Sequence, residues 1–113
     1  MKVDEERKYK YLLDLFLFEY FSIVQTLAQD YPVENDRIII GREVFKKALD
    51  KYAYMTVAGK IKAYKDLNFI IHDKNNYTMP VRDTEQNKLV RKVIINYRAY
   101  KTIKHLYETV ANV

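Results

Sequence analysis

Apolar side chains recur every three or four positions through residues 3–30, and this spacing predicts one long helix. The helix should end at Tyr31-Pro32, because the residue before a proline avoids the helical region. Its main apolar stripe consists of Tyr9, Leu12, Leu13, Phe16, Tyr20, Ile23, Val24 and Leu27.

The opposite face of this helix is apolar as well. Tyr11, Leu15 and Phe18 lie opposite the main stripe, and Phe21 lies to one side. A helix that is apolar nearly all round is buried on both sides. We expect these four residues to meet a second copy of the chain and to form a homodimer interface. The alternative is that the C-terminal helix of the same chain covers this face.

Two shorter helical patterns follow a β-branched run. Arg37–Ile40 predicts a short edge strand, and residues 42–52 predict a second helix with Val44, Phe45, Ala48, Leu49 and Tyr52 inward. A third helix should begin after Thr56, because a threonine side chain can accept a hydrogen bond from the first helical turn.

The third helix has its own apolar stripe and a stop signal. Val57, Ile61 and Tyr64 recur at helical spacing, and Leu67 prolongs the stripe. Asn68 should end the helix, since asparagine readily takes the left-handed conformation of a helix stop. Residues 69–71 then predict a short buried strand.

The last part of the chain predicts a hairpin and a final helix. Residues 77–82 can form a strand, which Pro80 confines to a sheet edge. Residues 83–87 form a polar tip, and residues 89–97 give a strong strand pattern. Residues 98–111 predict a helix with Ala99, Ile103, Leu106, Tyr107 and Val110 on one face.

The stretch Thr56 to Ile70, TVAGKIKAYKDLNFI, resembles the recognition helix and first wing strand of the winged helix-turn-helix family. The resemblance covers residues 37–97. It implies an α+β, mostly α, fold in which residues 1–113 form a single domain. The winged-helix core would follow the long helix of residues 3–30 and precede an added helix at residues 98–111.

Net charge is distributed unevenly along the chain. Residues 1–35 hold four basic and seven acidic side chains, a balance of −3. Residues 36–113 hold sixteen basic and eight acidic side chains, a balance of +8. A basic surface attracts polyanions by steering and by counterion release. The charge pattern therefore favours the partner that the resemblance implies, double-stranded DNA.

The resemblance also implies which residues contact DNA. The third helix would lie in the major groove with Lys62 near bases or phosphate, and Thr56 would hold a phosphate at the start of the helix. Arg82 would enter the minor groove from the wing. The expected set is Arg42, Lys46, Tyr54, Thr56, Gly59, Lys60, Lys62, Ala63, Lys65, Lys74, Asn75, Asn76, Arg82 and Lys88.

Signals for catalysis, cofactors and membrane insertion are weak. The chain has no cysteine and only two glycines, which excludes thiolate chemistry and a phosphate-cradling loop. His72 and His105 lack metal-ligand spacing. The N-terminus lacks a signal-peptide core, and no apolar run approaches the roughly 20 residues of a membrane span. We expect a cytoplasmic protein without enzymatic activity, cofactor or metal.

The sequence thus predicts a sequence-specific duplex-DNA-binding protein. It would act as a small regulator or as an accessory factor of plasmid or phage replication, partition or conjugative transfer. One alternative is a protein-interaction module or phage-type inhibitor that docks on larger protein machinery through the aromatic N-terminal helix. An RNA-binding domain is a third alternative, although no RNP-like or GxxG motif is present.

Overall fold

The computed structural model describes residues 2–111, with side chains for residues 6–110. Its elements within this range are α1 (Lys2–Asp30), β1 (Arg37–Ile40), α2 (Arg42–Leu49), α3 (Val57–Asp66), β2 (Ile70–Ile71), β3 (Met79–Asp83), β4 (Lys88–Asn96) and α4 (Tyr97–Ala111). About 54% of the chain is helical, so the predicted α+β, mostly α, class is confirmed.

The strand β4 is the centre of a small antiparallel sheet. β1 and β2 flank its C-terminal half, which gives the strand order β1-β4-β2. β3 pairs with the N-terminal half of β4 and forms the predicted hairpin. Within the described residues, β1 and β3 each pair with β4 alone. The edge positions predicted for β1 and for Pro80 are therefore confirmed.

Aromatic rings from three helices and one loop form the centre of the core. Tyr20 of α1 stacks on Phe69 with ring centroids 4.0 Å apart. Tyr64 of α3 meets Phe16 and Phe45 edge-on at 5.5 and 5.3 Å. Each such pair adds about 0.5–1.5 kcal/mol beyond its buried area. The aliphatic side chains that complete the core are Val24, Leu27, Ile38, Ile40, Leu49, Ile70, Val93 and Ile95.

In α2 and α3 and the residues that follow them, three residues predicted to face inward are exposed instead. The second helix ends at Leu49, so Tyr52 lies in the connection beyond it and is 43% exposed. Leu67 follows Asp66, the last residue of α3, and is 50% exposed. It no longer continues the buried stripe because the helix has ended. Val44 points away from the core on α2.

The two terminal helices extend past the core. The 29 residues of α1 span about 43 Å at 1.5 Å per residue, and the molecule measures 55 × 30 × 25 Å. The stripes predicted for these helices are therefore buried only where the body of the domain lies beneath them. The exposed stripe residues are Tyr9 and Leu13 of α1 and Leu106, Tyr107 and Val110 of α4.

The segment Glu6–Asp30 of α1 is long and apolar enough to cross a membrane by length and composition, with a mean hydropathy of 1.3. The prediction that no segment has this character is therefore wrong. One face of the segment belongs to the domain core, where Phe16, Tyr20 and Val24 are buried. The core helix of a globular domain can be equally long and apolar, and packing in the core accounts for the apolar composition of this face.

Candidate nucleic-acid interface

The start of α3 is fixed by the predicted cap. The Oγ1 atom of Thr56 accepts a hydrogen bond from the backbone N–H of Gly59 at 3.0 Å. A Cβ atom at Gly59 would lie 3.1 Å from that oxygen and 3.3 Å from Cγ of Met55. Because Gly59 has no side chain, the hydroxyl of Thr56 and the side chain of Met55 can lie close to it. Thr56 is exposed, and its hydroxyl still has a hydrogen to donate.

The end of α3 is fixed by the predicted stop. Asn68 is left-handed, with φ at 57°. Its N–H donates to the carbonyl oxygen of Lys65 at 3.1 Å, and the N–H of Phe69 donates to that of Tyr64 at 2.9 Å. These two bonds form a Schellman motif, and the packing of Phe69 on Tyr64 supplies its hydrophobic contact. Both ends of α3 are thus defined by local chemistry.

Lys60 does not lie on the outer surface of α3, and the expectation that it contacts DNA is wrong. Its side chain is fully buried. The ammonium donates to Oε2 of Glu19 at 2.8 Å and to the carbonyl oxygens of Leu49 and Tyr52, each at 2.6 Å. An ammonium has three hydrogens to donate. All three are used inside the protein, so Lys60 has none left for a phosphate.

A signal for this pair is present in the sequence. Lys60 lies within the apolar stripe of its helix, three residues after Val57 and four before Tyr64. Glu19 lies within the main stripe of α1, three residues after Phe16. A charged residue inside an apolar stripe must be buried with a partner. The two stripes carry charges of opposite sign, which pair in the structure.

Tyr54 belongs to the same buried network. Its hydroxyl donates to Oε1 of Glu19 at 2.9 Å, and its ring centroid lies 4.4 Å from the ammonium of Lys60. Burial, with the hydrogen bond to Glu19, raises the pKa of Tyr54. The expectation that this hydroxyl binds phosphate is therefore wrong, since it already has an anionic acceptor within the protein.

The outer face of α3 carries small and charged side chains. Ala58, Lys62 and Asp66 are exposed, while Ala63 and Lys65 are partly buried. Lys62 and Asp66, four residues apart on this face, form an ion pair at 2.8 Å. The hydrogen bond from Lys62 lowers the pKa of Asp66. Both side chains remain mostly exposed, so the ammonium can exchange this partner for a phosphate at small cost.

The loop of residues 72–78 is tied to both α3 and β4. Nε2 of His72 lies 3.2 Å from the carbonyl oxygen of Lys65, which also accepts from the N–H of Asn68 at the end of α3. Arg91 of β4 forms an ion pair with Asp73 and donates to the carbonyl and hydroxyl oxygens of Thr78. Arg91 is not one of the residues that the sequence predicts to contact DNA. These bonds place the exposed Lys74, Asn75 and Asn76 in a loop that precedes the hairpin.

The hairpin tip is ordered by its own polar side chains. Arg82 donates to Oδ1 of Asn87 at 2.8 Å, and Asp83 accepts from the N–H groups of Glu85 and Gln86. Arg82 and Lys88 are exposed. Two further basic residues of the expected set, Arg42 and Lys46, are exposed on α2.

The four residues expected at a dimer interface differ in how far other parts of the chain cover them. Phe21 packs against Tyr107 and Tyr100 of α4, with ring centroids 5.7 and 6.1 Å apart. For Phe21 the alternative, cover by the C-terminal helix, is correct. Tyr11 and Phe18 are 65% and 67% exposed, and Leu15 between them is partly buried.

The sequence matches no protein-family model, and no curated protein matches it.

Proposed function

We propose that this chain is a winged helix-turn-helix protein that binds duplex DNA, with α3 in the major groove and the β3–β4 hairpin on the adjacent groove. The observation that best supports the proposal is that buried contacts hold α3 against α1 and α2. The buried contact between Lys60 and Glu19 joins α3 to α1 and to the end of α2, while Ala58 and Lys62 face outward. A rigid helix with a small, basic outer face suits close approach to phosphates.

The order of elements supports the same assignment. The two short helices α2 and α3 are joined by residues 50–56 and precede a hairpin, and β1 pairs with β4 on the side opposite β2. A helix-turn-helix places its second helix in the major groove. The hairpin, which has a polar tip, follows that helix after β2 and the loop of residues 72–78.

The remaining basic side chains have roles that follow from their positions. Lys62 reaches bases or phosphate from α3, and Arg82 reaches the minor groove from the hairpin. Arg42 and Lys46 hold the phosphate backbone beside α2. The further backbone contacts are Thr56, Lys65, Lys74, Asn75, Asn76 and Lys88. In this role the protein would act as a small regulator or as an accessory factor of a mobile genetic element.

Fluorescence-anisotropy titration with labelled duplex DNA tests the proposal. We expect affinity to fall with salt and the triple variant Lys62→Ala/Arg82→Ala/Lys88→Ala to bind far more weakly. The matched control is Lys8→Ala/Lys10→Ala/Lys104→Ala, which removes the same charge from exposed positions on α1 and α4. Equal loss in both variants would mean that only net charge matters. A folded wild type that fails to bind at low salt would refute DNA binding.

A protein-interaction module is the second candidate function. It is favoured by the exposed aromatic residues Tyr11 and Phe18 on α1. Co-purification of one protein after nuclease treatment, with loss on Phe18→Glu, would support it over DNA binding.

A further inference from the structure

Phe18 lies on the rim of an apolar groove between α1 and the α2–α3 connection. The groove has a volume of about 280 Å³ and is lined by Leu15, Phe18, Glu19, Tyr52, Ala53 and Tyr54. We propose that this is a self-docking surface, in which Phe18 of one copy enters the groove of a second copy and receives that copy's Phe18 in return.

The first argument is self-complementarity. A two-fold interface uses the same patch on both subunits, so the patch must carry both the projecting group and the cavity that receives it. Phe18 is 67% exposed and stands directly beside the groove. The patch therefore contains both halves of such a contact.

The second argument is the spacing along α1. Tyr11, Leu15 and Phe18 are separated by four and then three residues, which is the spacing of the seam between two paired helices. Tyr11 and Phe18 are exposed, and Leu15 lies between them at the groove. A second α1 can therefore lie along this strip.

The third argument is the distribution of charge. The whole chain carries +5, so two copies repel each other at most surfaces. Residues 6–30 of α1 hold three basic and four acidic side chains and are nearly neutral, whereas residues 36–113 carry +8. Contact through α1 therefore brings together nearly neutral surfaces and leaves the basic parts of the two copies apart.

The groove is held in shape before any contact forms. Its wall residue Tyr52 accepts a hydrogen bond from Lys60, and its wall residue Tyr54 donates one to Glu19. A preformed site avoids the cost of ordering on association. Where the proposed DNA binding holds, this contact also sets the spacing of two α3 helices. The contact itself can be tested without DNA, so its failure and the failure of DNA binding are separate results.

Sedimentation equilibrium of the purified protein over a wide concentration range tests the proposal. We expect a dimer for the wild type and a monomer for Phe18→Glu. The control is Leu89→Glu, at a hairpin residue that is 65% exposed, and it should remain dimeric. Both positions are exposed, and circular dichroism checks that each variant is folded. A monomeric wild type, or a dimer that Phe18→Glu leaves intact, would overturn the proposal.

A mixing experiment tests the reciprocal geometry. Phe18→Ala lacks the projecting ring, and Ala53→Arg places a long side chain over the groove. Each variant alone should associate at least about tenfold more weakly than the wild type, the loss expected of a central aromatic contact. In a mixture, Phe18 of the Ala53→Arg chain can enter the open groove of the Phe18→Ala chain. Mixed dimers should therefore form more tightly than either variant dimer, and a mixture no better than its components would refute the reciprocal contact.

Discussion

The ammonium of Lys60 lies 2.8 Å from Oε2 of Glu19, and both side chains are almost completely buried. The contact joins α3 to α1, and the bonds from Lys60 to Leu49 and Tyr52 extend it to the end of α2. Buried charges are tolerated when they are paired and fully hydrogen-bonded. Both oxygens of Glu19 are engaged, since Tyr54 donates to the second. One ion pair thus fixes three helices relative to one another.

Removing either charge should destabilise the protein strongly. Lys60→Ala or Glu19→Ala leaves an unpaired buried charge, so each should lower the free energy of unfolding by about 3–5 kcal/mol. The double variant Lys60→Met/Glu19→Leu should lose much less than the sum of the two single losses. Denaturant unfolding measures all three. Additive losses would show that the two side chains act independently.

Substitutions of Lys60 and Lys62 should affect the salt dependence of DNA binding differently. Lys62→Ala should reduce the slope of log affinity against log salt by about 0.9, the value for one lost phosphate contact. Lys60→Met should weaken binding with little change in slope, because Lys60 positions α3 without touching DNA. Anisotropy titrations at several salt concentrations give both slopes. A reduced slope for folded Lys60→Met would contradict the buried position.

Three tyrosines should resist ionisation. Burial is the main cause that raises the pKa values of Tyr20, Tyr54 and Tyr64 above their ordinary value of about 10. The neutral form is therefore favoured in the folded state. The stability that these residues contribute is present below pH 10 and is lost as the pH rises above it.

Tyrosinate absorbance during an alkaline titration measures this effect. We expect a fraction of the eleven tyrosines to ionise only when the protein unfolds. Tyr54→Phe should reduce that fraction, because burial raises the pKa of Tyr54. Complete ionisation near pH 10 in a folded protein would contradict the burial.

The contribution of the Thr56 cap to the stability of the protein should be measurable. Thr56→Ala removes the hydroxyl that accepts from Gly59 and should cost about 1 kcal/mol of stability. Thr56→Ser keeps the hydroxyl and should cost much less. Thermal unfolding compares the two variants, and equal losses would mean that the methyl group of Thr56 matters and the cap does not.

The positions of helices and strands were largely predictable because their signals are local. Thr56, Asn68 and Pro80 each act on the backbone within a few residues, and each has the expected role. The second helix was predicted to run three residues too far. Its apolar pattern continues to Tyr52, but the helix ends at Leu49. The ammonium of Lys60 in α3 donates to the carbonyl oxygens of Leu49 and Tyr52.

The candidate site was less predictable because it depends on which residues are covered. Lys60 and Lys62 are two residues apart, and in the sequence only the position of Lys60 within the apolar stripe distinguishes them. One is exposed and the other fully buried. Tyr54 was assigned to DNA for the same reason, since its acceptor, Glu19, lies 35 residues away in the chain.

The sequence by itself determined the order of the elements, the ends of α3 and the excess of positive charge after residue 35, because periodicity, capping and composition act over short distances. Only the tertiary structure decided that Lys60 pairs with Glu19, that α4 covers Phe21, and that Phe18 stands beside an open groove. These outcomes depend on how distant helices pack, and packing determines which side chains lose their contact with water.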